Sequence, residues 1–447
     1  MHTRLPFAGR VAAWLLPAAR RLLPLLAPGT VAVFPLAAQE PSAALARPGL
    51  RMYVQEVFAQ NAGLRASRDA QSAAIERIPP AGALPDPMLM LGAISIPIPS
   101  FDFDAEPMTQ LPVGLQQRFP FPGKQRAATA SARADSAVAG TVVVAFEAEL
   151  ATSAARAYYR YAEASTALSV WQERVALANR TVAVTQSRYE TGAVPQTDLL
   201  RARLRRAELE AKRRRLEAGL TGALAQLNAL RGGSGPPVPP TALVDSTGTP
   251  ALNVLDDSLP SDSVLAAAAV GASPVLQVAT AQADRAARVA DVFDVAGRPD
   301  FTVTLQNGFR LDHRESLLTA LVGITVPLWS GRKQEPAARA AHLDADAARA
   351  RHDDLIAQLS ASIASIHAEL DALQDRIRQT AEEILPLADA ASTSALLRYQ
   401  VGAVEFTSVL DTQDALFRAQ LDLARLIADY ASARARLGAL IGEGWYK

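Results

Sequence analysis

Two spacings of apolar residues alternate along this chain. In the first, apolar positions recur every three to five residues over long proline-free stretches. Between Gln196 and Gly235 the stripe runs through Leu199, Leu200, Leu204, Ala207, Ala211, Leu216, Leu220, Leu224, Leu227 and Leu230, while Arg201, Arg205, Glu208, Lys212 and Arg215 take the other face. That spacing is helical. Lys124 to Val194, Ala337 to Leu385 and Leu387 to Lys447 are also free of proline and rich in Ala, Leu, Arg, Glu and Gln, all good helix formers. The pattern predicts helices over about 123–189, 196–231, 332–398 and 405–441. At 1.5 Å per residue the first would be ~100 Å long, a length that belongs to coiled coils or helical barrels rather than compact domains.

The second spacing is two. Phe301, Val303, Leu305 and Phe309 alternate with Thr302, Thr304, Gln306 and Gly308. In Thr319 to Val326, Ala320, Val322, Ile324 and Val326 oppose Thr319, Leu321, Gly323 and Thr325. Leu111 to Gln117 alternates likewise, and Met88 to Ile96 is apolar on both faces. Segments of this length with one apolar face read as membrane β-strands with a lipid side and a lumen side. The fold class is therefore mainly α with some β: long helices plus four strands.

The two patterns occur in the same order twice. Arg188-Tyr189-Glu190-Thr191-Gly192-Ala193-Val194 matches Arg398-Tyr399-Gln400-Val401-Gly402-Ala403-Val404 at an offset of 210. Thr197-Asp198-Leu199-Leu200 then matches Thr407-Ser408-Val409-Leu410. Upstream, Phe119-Pro120-Phe121-Pro122-Gly123-Lys124 parallels Val326-Pro327-Leu328-Trp329 and the following Gly331 and Lys333. The expected organisation is a first repeat over 39–231, a linker over 232–260, a second repeat over 261–442 and a tail over 443–447. Gly192 and Gly402 supply the left-handed conformation with which a long helix ends and reverses. Thr197 and Thr407 are placed to cap the returning helices.

Composition narrows the picture. Aromatic residues make up only 6%, and much of the apolar content is alanine, which lets helices approach closely. With no cysteine, disulfides, thiolate metal sites and a lipid anchor on cysteine are excluded. Arg20 and Arg21 precede an apolar stretch, Leu22 to Ala38, broken by three prolines. Residues 1–38 thus read as a signal peptide ending at Leu36-Ala37-Ala38 rather than as a spanning helix. Beyond it, 41 basic residues face 45 acidic ones, which points to no nucleic-acid partner. The run Lys212-Arg213-Arg214-Arg215 lies among Glu208, Glu210 and Glu217 and reads as a solvated helix face.

The repeat, together with Leu84-Pro85-Asp86-Pro87, Met108-Thr109-Gln110 and Gln117-Arg118-Phe119-Pro120-Phe121-Pro122-Gly123-Lys124, resembles the TolC family of outer-membrane efflux proteins. The resemblance covers about Met52 to Gly442 and is closest to the branch of heavy-metal pumps of the RND type. It implies a homotrimer in the cell outer membrane, with a twelve-stranded β-barrel in lipid and an α-helical barrel in the periplasm. It also implies work as the exit duct of a tripartite pump, with a periplasmic adaptor (membrane fusion) protein and an inner-membrane RND-type pump as partners. Physics asks for an oligomer independently, because four strands cannot close a barrel and open edges cannot sit in lipid.

No catalytic constellation or cofactor motif is present, so an enzyme is not expected. His342 and His352 stand ten residues apart, too far for one metal site. Met88, Met90 and Met108 could bind soft ions, but Met88 and Met90 share a strand face and are expected to pack toward lipid or neighbouring strands. The sharpest candidates are Asp411 and Asp414, one turn apart inside the helix after Gly402. By the resemblance this hairpin forms the periplasmic tip, and Asp411 matches a gate carboxylate there, whereas Ser408 stands where some members carry a second one. Three symmetry-related carboxylates on an axis favour cations. The competing reading is a periplasmic coiled-coil adaptor with no pore of its own; lipid-facing strands separate the two.

Overall fold

The computed structural model describes residues 48–98, 106, 108–233, 243, 258–310 and 315–446. The expected signal peptide, most of the linker, and the tips of both strand connections (Asp312, His313 and Arg314 among them) lie outside the described residues.

Three short helices open the described chain: α1 (Pro48–Gln60), α2 (Ala62–Glu76) and α3 (Ile78–Gly82). Asn61 caps α2 by accepting from the Leu64 N–H at 3.0 Å. β1 (Met88–Leu91) and β2 (Leu111–Phe119) lead into α4 (Lys124–Glu190), which reverses into α5 (Gln196–Leu230). The second half repeats the order with α6 (Asp262–Ala272), α7 (Pro274–Ala296), β3 (Phe301–Phe309), β4 (Leu317–Ile324), α8 (Gln334–Gln379), α9 (Leu385–Gln400) and α10 (Phe406–Ile441). α4 contains an 18-residue window apolar enough to cross a membrane. Its 67 residues far exceed the ~20 that a span needs, and it packs along α2, α5, α7 and α10.

The strands form one antiparallel sheet in the order β1-β2-β3-β4. Its register lines up Leu89, Leu115, Leu305 and Ala320 across all four strands, and Phe119, Phe301 and Ile324 across three. This face is exposed: Leu115, Leu305 and Val322 keep 50%, 51% and 72% of their surface open. The other face carries Gln116, Thr304, Gln306 and Thr319. An apolar outer face over a polar inner one is the division a membrane barrel requires. The sheet remains open at β1 and β4.

Four local expectations change. The strand expected over 88–96 pairs continuously only to Leu91, with a separate bridge between Ile94 and Gln110. Gly92 donates to the Pro112 carbonyl at 3.3 Å, but proline has no N–H to complete the pair. Met88 and Met90 stand beside Gln116 and Gly114 of the neighbouring strand, on the polar face, so of the two packings expected, toward lipid or neighbouring strands, only the second applies. The helix expected through 332–398 is interrupted by a π-turn at Thr380–Ile384, where the Leu385 N–H reaches the Thr380 carbonyl. Pro386 follows, and its missing donor and ring are accommodated by that wider turn. Finally, Thr197 and Thr407 do not cap: Pro195 and Glu405 occupy the cap positions without side-chain cap bonds, and Thr407 Oγ1 donates to Glu405 at 3.3 Å instead.

The main core lies midway along the helices. Leu50, Tyr53, Val54 and Val57 of α1 meet Ala154, Tyr158 and Tyr159 of α4 and Leu423, Ile427 and Leu437 of α10. The tail after α10 joins it. Gly442 turns the chain with φ +72°, Trp445 and Tyr446 are buried, and Glu443 accepts two bonds from the buried Arg434, at 2.6 and 2.8 Å.

One buried carboxylate joins sheet to helices. Asp300, 3% exposed, accepts from Arg118 of β2 at 2.5 Å, from Lys124 at the start of α4 at 2.8 Å, and from the Phe121 N–H at 3.0 Å. Its carbonyl accepts from the Thr325 N–H just past β4 at 2.9 Å. Burial pushes the carboxyl up, but the Lys124, Arg118 and Phe121 hydrogen bonds outweigh it and hold it down at about 2.

Candidate functional site

The two helical reversals lie side by side at the end of the helices remote from the sheet. Both use the same backbone closure. Gly192 and Ala193 donate to the Tyr189 and Arg188 carbonyls at 2.9 and 2.8 Å, and Gly402 and Ala403 to those of Tyr399 and Arg398 at 3.0 and 2.9 Å. Gly192 and Gly402 have φ of +72° and +78°, a region that side chains strain to enter.

The side chains break the pseudo-symmetry. Tyr189 is 40% exposed, but its counterpart Tyr399 is 1% exposed. Tyr399 packs with Phe406 at 5.4 Å between ring centroids, and Arg188 lies 4.7 Å over its ring while donating to its carbonyl. Val182 and Ala202 complete this cluster from the first repeat, Ala395 and Val409 from the second. Gln413 donates to Thr181 at 3.3 Å, tying α10 to α4. Burial pushes the Tyr399 phenol up from its ordinary value.

Asp411 and Asp414 point differently. Asp411 is exposed. Asp414 is partly buried and forms ion pairs with Arg174 of α4 and Arg205 of α5; Arg174 also stacks 4.6 Å over Phe417. Arg174, Arg188 and Arg205 were not anticipated. Their signal is weak, because an arginine on a long helix is ordinary until a partner helix is placed against it.

The remaining candidates are dispersed. His342 meets Asp294 at 3.0 Å and His352 meets Asp353 at 3.1 Å. Among the described residues no three His, Asp or Glu side chains gather as metal ligands. Arg213 of the basic run pairs with Glu217 at 3.3 Å.

Residues 265–443 match the family model described as outer membrane efflux protein. That match spans the second repeat, over which the chain resembles the outer membrane efflux proteins. The chain is 24% identical over 281 residues to the cobalt-zinc-cadmium resistance protein CzcC of Cupriavidus metallidurans. That alignment covers 61% of this chain and 64% of CzcC, just under two thirds of the relative's length. Three solved structures share the fold. The outer-membrane channel OprN superposes with a TM-score of 0.75 at 17% identity, covering 92% of this chain and 96% of OprN. VceC of Vibrio cholerae does so at 0.72 and 22%, covering 91% and 100%. CusC does so at 0.74 and 18%, covering 88% and 92%.

Proposed function

We propose that this protein is an outer-membrane efflux channel, the passive exit duct of a tripartite pump, and a homotrimer that conducts substrate from periplasm to exterior. The observation that carries this reading is the sheet. It has an apolar face exposed on every strand, both edges are open, and it sits at one end of helices ~100 Å long. Unpaired edges are not tolerated in lipid, so the sheet must close with copies of itself, and three copies give twelve strands with cyclic symmetry. The helices then form the periplasmic tunnel, with the two glycine turns at its far end. There the duct meets a periplasmic adaptor and, through it, an inner-membrane RND-type pump.

At that end Asp411 is the gate residue: exposed on each protomer, it forms a ring of three carboxylates around the axis, which favours cations. Asp414, held by two arginines, braces the α9–α10 hairpin against the α4–α5 hairpin, so its release would accompany opening of the tip. Metal cations are the favoured cargo, supported by the likeness to a cobalt-zinc-cadmium resistance protein. Cell fractionation followed by mild-detergent gels tests the reading: it expects outer-membrane recovery and a heat-modifiable band of trimer size. A soluble periplasmic monomer would refute it and favour the adaptor reading.

A further inference from the structure

Around one protomer, the helices near the tip lie in the order α5, α4, α10, α9. The end helices therefore have a neighbour on one side only. α5 buries Leu199, Ala202 and Leu209, and α9 buries Leu385, Ser392, Ala395 and Tyr399. Each also carries a second stripe on its opposite side, and that stripe is bare. On α5 it is Leu200, Leu204, Ala207, Ala211 and Arg214, all exposed, at steps of four, three, four and three. From the π-turn into α9 it is Glu383, Leu387, Ala390, Ser394 and Leu397, also all exposed, at the same steps. Leu200, Leu204, Leu387 and Leu397 keep 54%, 60%, 70% and 57% of their surface open. Such spacing is the seam of a coiled coil, and a helix with two opposed seams is built for two neighbours.

The heights match as well. Arg188 against Tyr399 sets the two turns level. α5 rises from the tip while α9 descends to it, so the two run antiparallel. At 1.5 Å per residue, Leu200 and Leu397 both lie ~5–6 Å above the helix ends, and Arg214 and Glu383 both lie ~26–27 Å above. A rotation about an axis along the helices keeps those heights. Read upward, Leu200 meets Leu397, Leu204 meets the small Ser394, Ala207 meets Ala390, and Ala211 meets Leu387. The one charged residue on each stripe then falls opposite the other, Arg214 against Glu383. The wider charge balance agrees. α5 has eight basic and four acidic residues, whereas the π-turn and α9 have three acidic and one basic.

We infer that the partner of the bare α5 stripe is the bare α9 stripe of a second copy of this chain, joined as an antiparallel seam locked by Arg214 and Glu383. The inference rests on the ring assembly proposed above and specifies which edges close it and in what register. It gives a role to the basic run on α5 and to the π-turn, neither of which the duct reading otherwise uses. The contact is head-to-tail, so repeated rotation closes a ring.

The chain has no cysteine, so an introduced pair is the only pair. Opposed alanines at a close helix contact meet the distance a disulfide needs. In the full chain purified in detergent, Ala207→Cys with Ala390→Cys should give covalent dimers and trimers on mild oxidation, reversed by reductant, and neither single variant should do so. Trimeric native mass without those bands would overturn the seam while leaving the trimer intact; monomeric mass would overturn both. Equal cross-linking by Ala207→Cys with Leu397→Cys, displaced along the seam, would overturn the register. As a second readout, Arg214→Glu and Glu383→Arg should each lower the temperature at which the trimer band collapses, and the double swap should restore it. Additive losses in the double variant would contradict the lock.

Discussion

Asp300→Asn isolates the joint between sheet and helices. The substitution keeps an acceptor for the Phe121 N–H but removes the charge that Arg118 and Lys124 share. The wild-type carboxyl is held at about 2, against an ordinary value of 3.8. At 1.36 kcal/mol per unit, the folded state favours the ionised form by about 2 kcal/mol. Because the folded value lies below the unfolded one, this stabilisation is complete above pH ~4. It declines as pH falls toward ~2 and is absent below. The expected result is a lower guanidinium midpoint for Asp300→Asn at pH 7, followed by far-UV circular dichroism on detergent-solubilised full chain. The gap from wild type should close between pH 4 and pH 2. Equal midpoints at pH 7, or a gap that persists unchanged below pH 2, would refute the assignment.

Three further outcomes follow from the geometry. Gly442→Ala should abolish accumulation of folded protein in the membrane fraction, because φ there is +72° and an added Cβ would lie 2.2 Å from the Ala272 carbonyl oxygen; wild-type levels would contradict the packing of the tail. Glu443→Ala should cost about 3–5 kcal/mol by removing one partner of a buried ion pair, read as a lower denaturation midpoint. Asp411→Ala should leave assembly intact but change single-channel conductance and weaken divalent-cation block in planar bilayers; unchanged currents would reject the gate role.

The long helices and the strand pairs were legible because each rests on a periodicity that one sequence displays in full. Phe301–Phe309 alternates with one exception, Asn307, and its bounds in the structure are those of the alternation. The turns were legible because Gly192 and Gly402 recur in matching words. What stayed hidden depends on neighbours distant in sequence. Asp300 looks like any residue before a strand until β2 and α4 deliver Arg118 and Lys124 to it. Asp414 has the spacing of a second gate carboxylate, and only the approach of α4 and α5 shows that Arg174 and Arg205 hold it. Pro386 was visible, but its effect was not: it produced a π-turn within a continuing helical rod rather than an end. The threonines misled because a cap depends on the backbone at one position, and in both turns the helix begins a residue before the threonine.

The proposed function stands on one property: this chain forms a conducting pore by closing its sheet and helices with copies of itself. Reconstitution of protein purified from outer membranes into planar bilayers, with native mass measured on the same sample, tests this most directly. A closed ring of three copies gives a mass of three chains and discrete, cation-preferring current steps. A single-chain mass with no conductance above the bare bilayer would contradict it.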